Sequence, residues 1–367
     1  MPRKLPFLCL GSILLLFLSF LLTDFIRFAH NFSIWVFWLR VLLLVCDLVL
    51  VFFVLKGLLG IGKGGFLRDL GVYVGIIFLF FLVLECGFMF VKQSSQNANA
   101  MCAQNWMRTY YGYNELGYRD LSMEGRGGDG KQKVFVLGDS FVAGHGIERV
   151  EDRVSNLLAE ASPYPMEVFN LGEEGANVVG AYENLVSFPV KPDVLVWFHV
   201  DDDILGNDVW RDFPLPSKEF GGAVHWFIEH SFFVNYVFER FVAPSMLMHT
   251  MMTNVKFNSL LAYIQEELVE EHFRHIDRIV DFCDVHGVQL IAVVFPSLGE
   301  SMAFTDVFNA PLMRYLEERK VEAIHVYDCV RGLSAEDRVV NGMDSHPSEV
   351  VNRVLAKEVG SRLWGRH

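Results

Sequence analysis

Three apolar runs crowd the first quarter of this 367-residue chain: Leu5 to Leu22, Ile34 to Leu55 and Leu70 to Val91. Each has the length a bilayer demands, about 20 residues. A backbone crossing hydrocarbon must satisfy its own polar groups, so runs of this kind become helices. The pattern predicts three transmembrane helices and a membrane anchor over residues 1–92. Arg3 and Lys4 precede the first run, which lacks a small-x-small cleavage site and reads as an uncleaved anchor. Lys56, Lys63 and Arg68 sit between the second and third runs, whereas Arg27 is offset by Asp24 between the first two. The positive-inside rule then places the N-terminus in the cytoplasm and everything after Lys92 outside. The expected location is the cytoplasmic (inner) membrane, multi-pass, with the larger domain on its periplasmic, extracytoplasmic side.

Charges inside such runs are costly and call for partners. Arg40 and Glu85 lie about one and a half turns from the outer ends of antiparallel spans, so they are expected to pair. Exchanging the two should then preserve membrane expression. Asp47, nearer the midplane, has no partner evident in the sequence.

A net charge of −13 excludes a nucleic-acid surface, which needs a basic patch. Six cysteines form neither a disulfide framework nor a metal-ligand spacing, and they read as small buried hydrophobes. No cofactor motif and no metal site is expected. The acidic run Asp201 to Asp203 with His199 lacks the ligands of a calcium loop.

Beyond the spans, residues 93–112 are polar and read as a linker, and residues 113–367 as one further domain. Apolar strands at Val134 to Leu137, Glu167 to Leu171, Val194 to Val200, Val288 to Phe295 and Ala323 to Tyr327 alternate with amphipathic helical segments. Alternation of this kind predicts an α/β fold with a parallel sheet covered on both faces. An aromatic and Met-rich stretch, about 210–253, interrupts it. That stretch reads as a helical insertion, placed near the site mouth, at the bilayer or against the core.

The first of these strands runs into Gly138-Asp139-Ser140, which leaves a hydroxyl at a strand's carboxyl end, where open α/β sheets bind ligands. A serine nucleophile needs a base, and the base an orienter. His346 stands in Asp344-Ser345-His346-Pro347 before the last helix, with Pro347 suited to its first turn. From a loop, Asp344 can turn onto Nδ1 of His346 and leave Nε2 free for Ser140. His145, close to Ser140, reads as a rim residue. Asn170-Leu171-Gly172-Glu173-Glu174-Gly175 closes the second strand with glycines that let backbone N–H groups approach a ligand.

Taken together these blocks resemble the SGNH/GDSL hydrolase family, over about Tyr113 to the C-terminus. Gly138-Asp139-Ser140 matches the first block, Gly175 the second and Asp344-x-His346-Pro347 the last, while Asn114-x-x-Gly117-x-Arg119 resembles a segment of membrane-anchored relatives. The resemblance implies a three-layer flavodoxin-like sandwich and a triad of Ser140 as nucleophile, His346 as base and Asp344 as orienter. It also implies an oxyanion hole including the N–H groups of Ser140 and Gly175. The family's third block carries an Asn donor, but here an ungapped reading puts Asp202 in that place. Asn207, in a literal Gly-Asn-Asp, lies a few residues later. Either Asn207 reaches in, or Asp202 is held neutral, or this donor is absent.

The implied activity is ester cleavage through an acyl-enzyme, on O-acyl or O-acetyl groups of an envelope glycan or lipid. Acyl transfer by the same triad, a lysophospholipase-like lipase, and a non-catalytic module of an envelope-polysaccharide machinery are the alternatives. Activity should rise through the titration of His346, between about pH 5 and 8.

Overall fold

The computed structural model describes residues 5–27, 34–59, 65–128, 130–205, 215–254, 258–300 and 302–365. Arg3, Lys4, Lys63 and Asn207 lie outside them. In chain order the elements begin with α1 (Leu5–Arg27), α2 (Ile34–Leu59), α3 (Phe66–Phe88) and α4 (Met101–Tyr110). Next come β1 (Gln132–Gly138), α5 (Ser140–Ala143), α6 (Val154–Ala161), β2 (Met166–Gly172), α7 (Val178–Ser187) and β3 (Val194–His199). Then follow α8 (Gly222–His230), α9 (Phe232–Phe241), α10 (Ala243–Thr253), α11 (Ser259–Tyr263), α12 (Glu266–His286) and β4 (Gln289–Val294). The chain ends with α13 (Met302–Thr305), α14 (Asn309–Glu318), β5 (Glu322–His325), α15 (Val326–Val330), α16 (Ala335–Arg338), β6 (Val339–Asn341), β7 (Asp344–Pro347) and α17 (Glu349–Trp364).

The chain divides into two units. One holds residues 1–93, 97–106 and 215–245; the other holds 94–96, 107–214 and 246–367.

In the first unit, α1, α2 and α3 are long and apolar enough to cross a membrane, through Pro6–Thr23, Trp35–Leu59 and Arg68–Phe88. Arg40 and Glu85 do pair, with Nη2 of Arg40 2.6 Å from Oε1 of Glu85 and both side chains fully buried. Asp47 accepts a hydrogen bond from the Ser12 hydroxyl of α1, a partner that sequence spacing did not reveal. The polar stretch after the third span is not a plain linker, because α4 forms within it and buries Met101, Cys102, Ala103, Asn105 and Trp106. Most of the aromatic insertion belongs to this unit, as α8 and α9.

In the second unit, a five-stranded parallel sheet has the order β2-β1-β3-β4-β5. This is the doubly wound, flavodoxin-like order. Period-two alternation of β1 feeds two cores. Val134 and Val136 face α6 and α17, through Val154, Leu158, Val351, Leu355 and Val359. Phe135 and Leu137 face α7, α12 and α14, through Val178, Leu185, Ile276, Ile279, Leu312 and Leu316. All four strand residues are fully buried. The arrangement is a three-layer sandwich, and truncating Phe135 to Ala would cost about 3–5 kcal/mol. The sheet order reverses at β1 and β3, and their carboxyl ends carry Ser140 and Asp201 to Asp203.

Two local expectations change. The stretch after His325 turns helical as α15, so β5 ends earlier than its apolar run. Pro347 closes strand β7, and the N-cap of α17 is Ser348, whose hydroxyl accepts from the Val351 N–H at 3.3 Å.

Candidate active site

Ser140 opens α5 immediately after β1. Asp139 caps that helix, its carboxylate accepting from the Phe141 N–H at 2.9 Å. The Ser140 carbonyl accepts from the N–H groups of Gly144 and His145, at 3.0 and 2.9 Å, which fixes the turn beyond the helix. The end of β2 presses close to α5, because a Cβ on Gly172 would run into the backbone of Ala143. Asn170 ties the two together, donating to the Val142 carbonyl at 2.7 Å and the Ser155 hydroxyl at 2.9 Å. Sequence spacing marked this residue only as a reference point for Gly175.

The segment from Asn114 to Arg119 clamps the other side of the nucleophile loop. Asn114 Oδ1 accepts from the N–H groups of Leu116 and Tyr118, each at 3.0 Å, turning the chain at Gly117 with φ +87°. Arg119, almost fully buried, then donates to the carbonyls of Gly144, Ile147 and Tyr110 and lies over the Tyr111 ring at 4.7 Å.

His346 arrives from a short antiparallel ladder of β6 and β7, not from a loop. Its Nε2 lies 2.8 Å from Ser140 Oγ, and its Nδ1 lies 2.5 Å from Asp344 Oδ1. The same carboxylate oxygen accepts from the His346 backbone N–H at 3.1 Å, so one contact pair sets both ring and chain. Residues 206 positions apart are thereby in hydrogen-bond contact. The Phe141 ring meets the imidazole edge-on, with centroids 5.2 Å apart.

Burial works against a charged His346. The carboxylate and hydrogen bond of Asp344, with smaller contributions from Glu174 and Asp139, outweigh it and raise the imidazole to about 9. Burial likewise disfavours a charged Asp344, but His346 beside it, with His145 and Ser94, holds its carboxyl well below the usual range.

A second set of groups stands behind the first, and sequence reasoning missed it. His145 is buried, not on a rim. Its Nδ1 lies 3.0 Å from Glu174 Oε1, its Nε2 3.3 Å from the Ser95 carbonyl and 3.8 Å from Asp344 Oδ2. Both ring nitrogens therefore face acceptor oxygens. Glu174 also accepts from the Tyr111 hydroxyl at 2.6 Å. Burial favours a neutral Glu174, yet the hydrogen bonds and charges around it, His145 first, bring its carboxyl below the ordinary value. Their only sequence signal was proximity, His145 to Ser140 and Glu174 to Gly175.

Gly175 sits in a left-handed turn, φ +73°, with open space where a side chain would be. Asp202 lies in a 3-10 turn, Asp201–Ile204, that leaves β3 directly. Burial raises its carboxyl, a shift that its own backbone N–H and the charge of His346 partly offset. Asp139 and Asp201 are each pushed up to about 7, by burial first and then by the charge of Asp202. Asn207, the other candidate donor, lies outside the described residues.

Among the described residues, His145, Asp344 and His346 are close enough together to hold a metal ion, whereas His199 and the acidic run are not such a group. His199 Nε2 instead meets His272 Nε2 at 2.9 Å. An open cavity of about 720 Å³, lined by residues including Asp306, Arg314 and His325, touches no triad residue.

No family model matches the chain, and no curated protein matches it. Among solved structures, a lipolytic protein of the G-D-S-L family from Desulfitobacterium hafniense is 14% identical, with a TM-score of 0.39 over 63% of this chain and 98% of that one. A carbohydrate acetylesterase family member from Sinorhizobium meliloti is 15% identical, with a TM-score of 0.33 over 64% and 99%. AlinE4, a SGNH-hydrolase family esterase, is 14% identical, with a TM-score of 0.30 over 65% and 98%. The chain is similar to solved SGNH/GDSL hydrolases. The likenesses are remote in sequence and low in TM-score, and the contacts of Ser140, His346 and Asp344 stand apart from them.

Proposed function

We propose that this chain is a membrane-anchored serine esterase of the SGNH/GDSL type. The observation that carries the reading is the continuous contact from Ser140 Oγ through His346 to Asp344. In its neutral form His346 takes the hydroxyl proton as Ser140 Oγ attacks an ester carbonyl. The tetrahedral intermediate collapses to an acyl-enzyme, and the imidazolium returns the proton to the departing alcohol. Water then adds to the acyl group, loses a proton to His346, and releases the acid as Ser140 is restored. Asp344 stays ionised and steadies the imidazolium throughout.

The N–H groups of Ser140, at the first position of α5, and of Gly175, in its open turn, are assigned to the oxyanion hole. Asp202 is assigned as the third donor in its protonated form. A neutral carboxyl donates one O–H, and a charged one would oppose the developing oxyanion.

The substrate class proposed is an O-acyl ester on an envelope glycan or lipid, reached on the extracytoplasmic side. Lys56 in the last turn of α2 and Arg68 in the first turn of α3, with the N-terminal Arg3 and Lys4, support a cytoplasmic N-terminus. Hydrolysis of p-nitrophenyl esters of increasing chain length by wild type and Ser140→Ala tests this. A two-carbon optimum lost in the variant supports the reading, and a long-chain optimum replaces the glycan with a lipid. Product release that requires a sugar hydroxyl acceptor would make the enzyme a transferase, and no release from any ester would leave a non-catalytic module.

A further inference from the structure

We infer that the α8–α9 hairpin is embedded among the lipid acyl chains of one leaflet, with its turn held by the Arg40–Glu85 pair. This inference does not depend on the proposed catalysis. The depth of α8 follows from its aromatic contacts. Trp226 stacks on Phe17 at 6.0 Å and meets Phe20 at 5.7 Å. Phe17 lies six residues inside Thr23, where the apolar stretch of α1 ends, or about 9 Å at 1.5 Å per residue. Phe227 stacks on Phe81 at 5.8 Å, and Phe81 lies seven residues inside the end of α3, or about 10 Å. Half the hydrocarbon thickness is about 15 Å, so these contacts are within it.

The turn itself meets Thr23, Arg40 and Glu85, nearer the outer ends of the spans, and must still satisfy its backbone groups inside the protein. That requirement is met here. The His230 carbonyl accepts from Arg40 Nη2 at 2.9 Å and from the Thr23 hydroxyl at 3.0 Å. Glu85 accepts from the N–H groups of Phe232 and Phe233, at 3.0 and 3.1 Å, and from the Ser231 hydroxyl at 2.6 Å. Arg40 also donates to Thr23 Oγ1 at 2.7 Å. All three spans thus meet at one turn. Buried charge is costly unless hydrogen-bonded, and this set gives each ion several partners, leaving Arg40 Nε alone in the pair without a bond among the described residues.

The outer surface of the hairpin is apolar. Val224 is 50% exposed, Val237 37% and Phe227 36%; Phe227 packs on Phe81 of α3, a helix whose Ile77 and Phe80 are 69% and 63% exposed. The polar side chains turn elsewhere. His225 and Glu229 both meet the Ser217 hydroxyl, and Asn235 and Glu239 bond to Met101 and Asn97. Acyl chains are the occupant argued for, because the exposed face adjoins the apolar span α3 through the stack of Phe227 on Phe81.

The test uses full-length protein in phospholipid nanodiscs. Tryptophan fluorescence is compared between Trp226→Phe and the same variant carrying Val224→Trp, and the difference isolates position 224. Phospholipids brominated along the acyl chain should remove about half of that signal, and aqueous iodide should leave it unchanged, as for an apolar face sunk in the leaflet. Quenching by iodide, or insensitivity to brominated lipid, would overturn the inference. A melting temperature equal to wild type establishes that the variant is folded, and Val237→Trp in the same background serves if Val224→Trp is not.

Discussion

The ring of His145 lies against the ring of His346, with centroids 4.5 Å apart and planes inclined by 30°. Through Nε2 it also approaches the far oxygen of Asp344, at 3.8 Å. We read it as a positioning residue, held by Glu174 and Tyr111, whose ring bears on His346 and Asp344 while only its backbone N–H meets Ser140, at the carbonyl. His145→Ala should lower kcat by up to about 10²-fold, the effect of a small misplacement of the base, with KM little changed. Glu174→Gln should give a milder loss and, by removing a charge near His346, move the pH profile to lower values. Unaltered kcat and pH profile in both variants would contradict the assignment.

The pH dependence follows from the raised imidazole. His346 accepts the serine proton only when neutral, so activity should increase with pH until about 9 and level off there. Asp344 remains charged across this range. This position lies above the ordinary histidine range expected from sequence, and its cause is the Asp344 carboxylate beside the ring, outweighing burial. A kcat/KM profile already level at pH 7 would contradict it.

Asp202 carries the weakest-matched part of the sequence pattern. If its protonated form donates to the oxyanion, the donor is lost as pH rises, whereas the base improves. Asp202→Asn supplies a donor at every pH. It should raise kcat/KM at about pH 9, by up to roughly 10²-fold, the worth of one oxyanion donor. A loss of activity at that pH would remove Asp202 from the hole.

The Arg40–Glu85 pair is not symmetric, which changes the outcome expected for an exchange. Arg40 serves a carbonyl and Glu85 serves two N–H groups, so the reversed pair would set a carboxylate against the His230 oxygen and a guanidinium against N–H donors. The doubly exchanged protein should be at least as destabilised as either single variant, about 3–5 kcal/mol for a broken buried pair. Thermal unfolding in detergent measures this, and wild-type stability of the exchanged protein would contradict it.

Much of this fold was legible in the sequence, for identifiable reasons. Val134 to Leu137 read as a central strand because a strand buried on both faces is apolar throughout. The roles of Ser140, His346 and Asp344 came only from the resemblance to the SGNH/GDSL blocks and are a proposal, whereas their contact was legible from a strand end and a two-residue spacing. His145 and Glu174 were not, because their importance lies in which oxygens surround them after folding. The α8–α9 hairpin was ambiguous for a similar reason. Its attachment runs through backbone groups of His230, Phe232 and Phe233, and no side-chain pattern reports where a backbone N–H or carbonyl will find its partner.

The central claim, a serine made nucleophilic by His346, is tested most directly by a fluorophosphonate probe on purified full-length protein. Wild type should be labelled at Ser140, with labelling absent in Ser140→Ala and slowed by on the order of 10³-fold or more in His346→Ala. Folded wild-type protein that the probe fails to label at pH 9, or labelling that persists in Ser140→Ala, would contradict the account.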